Sequence, residues 1–328
     1  MAEGNNPLLV VDRFKGVPEK IAAEIKFCET EYFKEDKPVP LCGHLLMYPA
    51  TVHDYEAFSS CSACLSLNKN SSPEGLRMSH LEYLYTMTQK PGEEGAMWSF
   101  RVQRLFEIIF HITNGIKCTK CGRVIRYGSE EFNKYLAAAQ EAQQNEKEIP
   151  ILTCSGEGCE GKGKDFIEMM KFIEDPKTKK HVLLVDGQII DKDAFNRLRY
   201  IVLYQNFPDY RDDSWVDPDL KRDYEEKMRL ERQKNDVHAT LEKKIVAIHV
   251  ATHDDFEKIY DMTIRKFLMV LTTVDDLINY KIMKTASMSG FVSWPKDHPI
   301  EHWIYKPDKD MFGDNHYKSL DEAAKGVS

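Results

Sequence analysis

The sequence predicts an α+β fold that is mostly helical, with short strands, hairpins and a small cysteine-bearing insertion. Three observations support this prediction. Apolar residues recur every three or four positions in several long segments, as they do on the buried face of a helix. Two apolar runs flank Asp186-Gly187, a residue pair typical of a hairpin turn. Two short cysteine turns with nearby glycines lie near the middle of the chain.

The composition is that of a globular protein with more than one compact unit. The chain has 328 residues, of which 42% are hydrophobic and 30% are charged. We expect an N-terminal α+β domain at residues 1–115, an insertion at 116–165 and a C-terminal, mainly helical domain at 166–328. Residues 1–15 lack the pattern of a signal peptide, and no apolar run reaches the roughly 20 residues of a membrane span.

The first third of the chain predicts helices around one short strand. A helix is expected over residues 18–33, because proline at position 18 suits a first helical turn, and the breaker at 37–40 ends it. Residues 45–49 predict a strand, and Val52 opens the next helix. Two further helices are expected over residues 78–88 and 98–112, the second with its apolar stripe at Trp98, Val102, Leu105, Ile109 and Ile112 and its stop at Asn114-Gly115.

The rest of the chain predicts one hairpin among helices. Ser129 is a suitable N-cap for a helix at 129–148 inside the insertion, and residues 182–190 form the hairpin around Asp186-Gly187. Further helices are expected at 192–204 and 218–250, and residues 255–286 predict one or two more, with a core of Ile259, Ile264, Phe267, Leu271, Leu277 and Ile282. A strand or hairpin is expected within 290–305, followed by a polar tail from 308.

The two cysteine turns predict a structural zinc site formed by Cys118, Cys121, Cys154 and Cys159. A tight turn places two thiolates at the separation that tetrahedral zinc needs, and the three glycines in these turns permit positive φ angles. Four protein ligands leave no position for a substrate, so this zinc ribbon argues against metal catalysis. The alternatives are four reduced thiols, or disulfide and redox chemistry, but eight cysteines without a secretory signal favour metal over disulfides.

A second metal site is conceivable from Cys42, His44, Cys61 and Cys64. The donor types suit a metal, and Cys61 and Cys64 have the spacing of a knuckle. Their segment has a helical pattern, however, in which cysteines often fill small gaps in the core. The sequence therefore favours buried free thiols over a second site.

Two other groups are better explained without a ligand. His249 and His253 have a helical metal-binding spacing, but Thr252 and Asp255 predict a new helix start there, which favours a surface or capping role. An acidic loop lacks the spacing of a calcium loop and is expected to be solvated; its members are Asp209, Asp212, Asp213, Asp217 and Asp219.

Basic residues around the first cysteine turn are the only indication of nucleic-acid binding. They are Lys117, Lys120, Arg123 and Arg126, and acidic residues of the same insertion offset their charge. The whole chain has a net charge of -8, which removes the electrostatic argument for a broadly basic domain. No nucleophile elbow or dinucleotide fingerprint is present to support an enzyme.

Segments on either side of the insertion resemble a family of tail proteins from tailed bacteriophages. They are residues 45–55 (LLMYPATVHDY) with Phe58, residues 67–70 (LNKN), residues 78–84 (MSHLEYL) and residues 203–210 (LYQNFPDY). The family groups baseplate-hub components and tail-assembly proteins, and the resemblance extends over roughly half of the chain in two blocks. The ribbon is not a general feature of that family and looks like an insertion. The resemblance implies a non-enzymatic role with protein partners, and it transfers no functional residues.

The leading hypothesis is a non-enzymatic structural or assembly component of a phage tail or baseplate, stabilised by zinc. Its partners are then other tail or baseplate subunits, contacted through residues 206–215 and 294–305, and it resides in the host cytoplasm during assembly and in the virion if the particle retains it. The alternatives are a zinc-ribbon regulatory protein that binds nucleic acid, and an enzyme with an unrecognised site.

Overall fold

The chain folds into helices that surround small antiparallel sheets, as predicted for an α+β protein that is mostly helical. A computed structural model describes residues 13–69, 73–145, 147–176, 178–212, 222–223, 226–227, 229–230, 239–289, 300 and 303–304. Within these residues the strands form a two-stranded sheet and two three-stranded sheets. No helix in this described part is long and apolar enough to cross a membrane.

The N-terminal part contains five helices and one hairpin among the described residues. Pro18 occupies the N-cap position of the first helix, one residue before the helix begins at Glu19, so the predicted start is confirmed to within one residue. The predicted breaker is partly wrong, because Val39 and Pro40 pair with the next strand. Local turns also divide the helix expected from Val52 into shorter pieces. The elements are α1 (Glu19–Glu31), β1 (Val39–Cys42), β2 (Leu45–Met47), α2 (Tyr55–Cys61), α3 (Pro73–Arg77), α4 (His80–Thr88) and α5 (Glu93–Phe110).

Helix α5 begins and ends earlier than its apolar stripe predicts. Gly92 stands at its N-terminus, and His111 ends it in a left-handed conformation with φ 52°. Ile112 therefore lies outside the helix, and Gly115 opens the next strand rather than closing this helix. The buried stripe itself is confirmed, since Trp98, Val102, Leu105 and Ile109 are all buried.

Residues 115–168, which include the predicted insertion and are called the ribbon below, consist of a three-stranded sheet, a helix and a cysteine-bearing loop. Its elements are β3 (Gly115–Cys118), β4 (Val124–Arg126), α6 (Glu130–Gln144) and β5 (Phe166–Glu168). The strand order is β4-β3-β5, with both pairings antiparallel. The Ser129 side chain accepts a hydrogen bond from the Phe132 N–H, so the predicted N-cap of α6 is confirmed.

The hairpin around Asp186-Gly187 is confirmed, but it belongs to a larger sheet. Asp186 and Gly187 have φ angles of 43° and 78°, as a two-residue hairpin turn requires. A strand that the sequence did not predict pairs with the first hairpin strand. The elements are β6 (Met170–Glu174), β7 (His181–Val185), β8 (Gln188–Ile190) and then α7 (Lys192–Asn206), which begins at the N-cap Asp191.

Three helices follow in the C-terminal part: α8 (Leu241–Thr252), α9 (Phe256–Asp261) and α10 (Ile264–Met288). The single helix predicted over 218–250 is wrong, because Thr240 is non-helical and its side chain caps α8 at the Lys243 N–H. Of the predicted core, Ile259, Ile264 and Phe267 are buried, whereas Ile282 is 62% exposed. The strand expected within 290–305 and the tail lie almost entirely outside the described residues.

One main hydrophobic core joins sequence-distant helices. Phe58 and Phe106, from the segment before the insertion, share it with Phe195 and Tyr204 from α7. A smaller cluster under α8, α9 and α10 includes Val52, and the Val52 N–H donates to the Met262 carbonyl. The core thus includes residues from both flanking segments, while the three-part division at 115 and 166 stays a prediction.

Candidate metal centre

Four cysteines of the insertion converge at one point. The Sγ atoms of Cys118, Cys121, Cys154 and Cys159 all lie within 4.8 Å of one another. Across the two turns, Cys118 Sγ is 3.7 Å from Cys159 Sγ, and Cys121 Sγ is 3.5 Å from Cys154 Sγ. These four residues can therefore hold a metal ion.

The spacing of the sulfurs fits a tetrahedral ion. A zinc–sulfur distance of about 2.3 Å places neighbouring sulfurs of a regular tetrahedron about 3.8 Å apart. The two separations of 3.7 and 3.5 Å between the turns are close to that value. Both are also too long for a disulfide, whose S–S bond is about 2.05 Å, and all four cysteines are free thiols.

The first pair of ligands is positioned by the end of β3 and the turn that follows it. The Cys118 N–H donates to the Arg123 carbonyl at 2.8 Å, and the Gly122 N–H donates to the Cys118 carbonyl at 2.8 Å. Gly122 has φ 77°, a conformation that costs glycine little. The turn thereby directs Cys121 back towards Cys118, as the sequence pattern predicted.

The second pair is positioned by a small loop closed by its own backbone. The Cys154 N–H donates to the Gly161 carbonyl at 2.9 Å, and the Cys159 N–H donates to the Gly156 carbonyl at 2.9 Å. Gly158 has φ 71° and confirms the expected use of glycine, but Gly156 does not have a positive φ. Gly156 instead lies against the site, where its N–H points to Cys154 Sγ at 3.4 Å.

Gly161 is a site residue that the sequence analysis missed. A Cβ atom at this position would lie 2.6 Å from Cys118 Sγ, which is closer than such atoms approach. Position 161 therefore requires glycine, because a larger residue would collide with the sulfur cluster. The only sequence feature that could have indicated this role is the position of Gly161, two residues after Cys159.

The thiols influence one another's ionisation. The backbone N–H groups of Cys121 and Lys120 lower the pKa of Cys118 to about 7, although burial opposes the change. At Cys159 the Gly161 N–H lowers the pKa, but the Cys121 thiol and burial raise it to about 12 overall. Thiols so close together cannot all ionise without a cation, so metal binding here must release protons.

Side chains outside the cluster hold the two turns together. Lys120 Nζ lies 3.1 Å from Asp165 Oδ2, and the Thr119 N–H donates to the Asp165 carbonyl at 2.8 Å. Glu131 on α6 accepts from Arg123 at 2.9 Å and also from the Ser155 hydroxyl of the second turn. The contacts of Asp165 and Glu131 with the cysteine turns could not be predicted from the sequence, because no local pattern pairs these carboxylates with the turns.

One carboxylate of the β7–β8 turn connects the ribbon to the rest of the protein. Asp186 accepts from Lys117 Nζ on β3 at 2.6 Å and lies 3.1 Å from His44 Nε2 in the β1–β2 turn. Burial raises the pKa of Asp186, but hydrogen bonds from Lys117 and His44 outweigh it and leave the pKa below its usual value. Its backbone N–H also donates to the Met169 carbonyl at 2.7 Å.

These ion pairs weaken the nucleic-acid interpretation. Lys117, Lys120 and Arg123 each face a carboxylate, so three of the four basic residues near the first turn are already paired. Arg126 is exposed at the end of β4 and forms no ion pair with the described residues. A single uncompensated cation gives little of the counterion release on which nucleic-acid binding depends.

The structure does not assemble Cys42, His44, Cys61 and Cys64 into a second site. Within the described residues, the ribbon cysteines form the only group of three or more metal-binding side chains that meets the same distance limit. Cys42 Sγ instead lies 4.0 Å from the Ile189 carbonyl, and His44 pairs with Asp186. Cys61 and Cys64 are buried in the main core, and burial raises the pKa of Cys64 to about 12.

The remaining polar candidates also have local explanations. The His253 backbone ends α8 with φ 61°, and His249 stacks on Phe256, so these two histidines do not share a helical face. Asp212 is buried and accepts from the Tyr200 hydroxyl at 2.7 Å, which corrects the expectation of a wholly solvated acidic loop. Asp213, Asp217 and Asp219 lie outside the described residues.

A comparison with known families finds a match in the C-terminal part. Residues 231–308 match the family described as the YomV second domain, a phage-like protein family. The matched segment contains α8, α9 and α10, covers less than half of the chain and excludes the ribbon. No curated protein and no solved structure gives a significant match. Over residues 231–308, this chain is therefore similar to a phage-like protein family, which suggests a phage-related protein.

Proposed function

We propose that the protein is a non-enzymatic structural or assembly component of a phage tail or baseplate, with a structural zinc ion in its cysteine ribbon. The similarity of residues 231–308 to a phage-like family supports the phage context. The tail or baseplate role extends the resemblance of residues 45–84 and 203–210 to tail proteins. Its partners are other phage proteins, met in the host cytoplasm during assembly and retained in the particle if the role is structural.

The convergence of four cysteine sulfurs is the observation that carries the zinc proposal. Thiolates prefer soft or borderline ions, and a tetrahedral set of four sulfurs is typical of zinc or iron. Zinc is the better candidate because the ribbon is a small unit without a substantial core, which structural zinc commonly stabilises.

The closed ligand set also supports a non-enzymatic role. Catalytic zinc keeps a coordination position open for water or substrate, whereas four cysteines fill a tetrahedral ion. The site would therefore contribute folding energy rather than chemistry. A hydrolytic or transfer activity that is lost when the metal is removed would contradict this part of the proposal.

Elemental analysis of the purified protein tests the metal. We expect one zinc per chain, which disappears in the Cys118→Ser/Cys121→Ser variant. The matched control is Cys42→Ser, a half-buried cysteine outside the cluster, which should retain the metal. Iron in place of zinc, or unchanged zinc in the double variant, would refute the assignment.

A particle assay tests the biological role. In a phage that encodes this chain, the Cys118→Ser/Cys121→Ser variant should reduce the number of complete tails seen by electron microscopy. The Cys42→Ser phage should assemble normally. Normal tails in both variants, with the protein absent from tail structures and their precursors, would reject a tail or baseplate role.

A further inference from the structure

A groove runs between helix α5 and the ribbon, away from the cysteine cluster. It consists of two cavities, of about 270 and 330 Å³, that adjoin at Gln103 and Tyr127, which line both. The α5 wall extends from Ser99 to Glu107, and the opposite side includes Arg126 at the end of β4, Tyr127 directly after it and Glu168 of β5. The eight helical steps from Ser99 to Glu107 rise about 12 Å, which is the length of roughly four residues of extended chain.

The two cavities differ in chemistry. The lining of the first is mixed: Val102, Met170, Phe172 and Leu183 contribute apolar surface beside polar residues such as Gln103 and Lys171. The second is lined by polar and charged side chains, with the ring of Phe100 at its edge; Phe100 is 64% exposed. The groove therefore offers one place for an apolar side chain and a neighbouring place for a charged or polar one.

The charge that remains unpaired in the groove is positive. Arg104 pairs with Asp54 and Glu107 at 2.9 and 3.1 Å, and Lys171 lies 3.7 Å from Glu168. Arg126 forms no ion pair with any described residue and lies at the polar end. In a chain with a net charge of -8, this cation selects for an anionic group of a ligand.

Two polar groups of the groove can serve a bound backbone. Asn114 lines the second cavity and is 7% exposed; its buried Oδ1 has no hydrogen-bond partner within the described part of the chain and reaches a ligand N–H once the side chain turns towards the cavity. A buried acceptor of this kind is costly unless a donor such as a peptide N–H reaches it. The phenol of Tyr127 is a hydrogen-bond donor, and its pKa is raised by burial and, to a smaller extent, by Glu168.

We propose that this groove binds an extended segment of a partner protein about four residues long, with an apolar side chain in the first cavity and a carboxylate beside Arg126. The inference rests on the proposed assembly function and names the chemistry of the partner. The two cavities in line favour an extended chain over a compact small molecule. One wall belongs to the ribbon, so the groove also connects the metal centre to partner binding.

Capped tetrapeptides test the proposal on the full-length, metal-loaded protein. The probes are acetylated Leu-Ser-Gly-Asp amide and its reversed sequence, with matched peptides that carry Asn or Lys in place of Asp. We expect one of the two Asp peptides to bind at least tenfold more tightly than its Lys counterpart in a calorimetric titration. Equal binding of the Asp and Lys peptides, or no binding of any peptide, would overturn the proposal.

Two variants locate the binding site. Arg126→Glu should reverse the preference, so that the Lys peptide binds more tightly than the Asp peptide. Gln103→Glu should weaken binding of the Asp peptide, and because residue 103 is exposed, this change should leave the fold intact. Lys134→Glu is the matched control, since it makes the same kind of charge change on α6 and its side chain is 75% exposed. Equal effects of Arg126→Glu and Lys134→Glu would place the binding elsewhere and refute the groove.

Two further measurements separate this inference from other ligands and from the function on which it rests. If a DNA oligonucleotide binds the protein through Arg126 and the peptides do not bind, the ligand of the groove is a nucleic acid and the proposal is overturned. The zinc content and the tail assembly of the phage are measured independently. Intact assembly and zinc with no peptide preference would reject the groove alone, whereas loss of the assembly role would reject the function.

Discussion

The ribbon and the main body obtain their stability in different ways. The body buries a large cluster of side chains that includes Phe58, Phe106 and Phe195. Within residues 116–165, the buried hydrophobic residues Cys118, Ile125, Ala142 and Leu152 belong to neither hydrophobic cluster. A small unit with so little buried apolar surface needs another source of stability, and four metal–sulfur bonds can supply it. The body therefore depends on packing, whereas under the proposed zinc binding the ribbon depends on its four cysteines.

Removal of the metal should produce the largest contrast between the two regions. Structural zinc contributes on the order of 10 kcal/mol to small zinc-dependent folds, so a strong chelator should unfold the ribbon locally. We expect rapid amide exchange at residues 115–168, while α5 and α7 stay protected in hydrogen-exchange mass spectrometry. Unchanged protection of the ribbon after the metal is gone would contradict the comparison.

Loss of a buried ring should show the opposite pattern. Phe106 is fully buried in the main core, and Phe106→Ala should lower the free energy of unfolding of the body by about 3–5 kcal/mol. Denaturant titration measures this change, and the metal content should remain normal. Phe100→Ala on the same helix is the control, since an exposed ring has little packing to lose. Comparable destabilisation by both variants would argue against the described packing of α5.

A smaller effect is expected from a methyl group at the metal centre. Gly161→Ala places a Cβ 2.6 Å from Cys118 Sγ, so the affinity for the metal should fall by roughly tenfold or more. Competition with a chromophoric chelator measures the affinity. Gly158→Ala is the control, because it strains a residue with φ 71° but meets no atom within 4 Å. A larger loss of affinity in Gly158→Ala would show that backbone strain, rather than contact with sulfur, governs the site.

The smallest effect should come from a substitution of Asp186, which connects the ribbon to the main body. Asp186→Asn should cost about 1 kcal/mol, since it removes the partly buried ion pair with Lys117. The folded pKa of Asp186 is lowered, so its contribution is present above the usual aspartate pKa of about 3.9 and is lost as the pH falls through the lower folded value. Unfolding measured between pH 6 and roughly pH 3 should therefore show a shallower loss of stability in the variant. An identical pH profile for both proteins would mean that this carboxylate does not connect the ribbon to the body.

Elements with strong local signals were predictable from the sequence. Pro18 and Ser129 mark the first turns of α1 and α6, and Asp186-Gly187 forms the expected turn. The cysteine turns were also local features, because only two residues separate Cys118 from Cys121 and the turn closes through the hydrogen bond from the Gly122 N–H to the Cys118 carbonyl. In each case the residues that decide the structure are close together in the chain.

The errors concern residues whose role depends on distant partners. Val39 and Pro40 form a strand because Leu46 and Met47 lie beside them, despite a composition typical of a breaker. Ile282 continues the apolar pattern of α10 but is 62% exposed, since an apolar pattern does not by itself provide a neighbouring segment that covers it. Asp212 is buried because Tyr200 on α7 supplies its hydrogen bond.

The sequence by itself determined which four cysteines converge, the hairpin and helix caps and the mostly helical class. Periodicity, turn chemistry and cysteine spacing are short-range properties, so they can be recognised without knowledge of the fold. Only the tertiary structure decided that Asp186 joins the ribbon to the body, that Gly161 must remain small and that α5 and the ribbon enclose a groove. These features arise where segments far apart in sequence are packed together, and the free energy of that packing belongs to the pairs of segments rather than to either one alone.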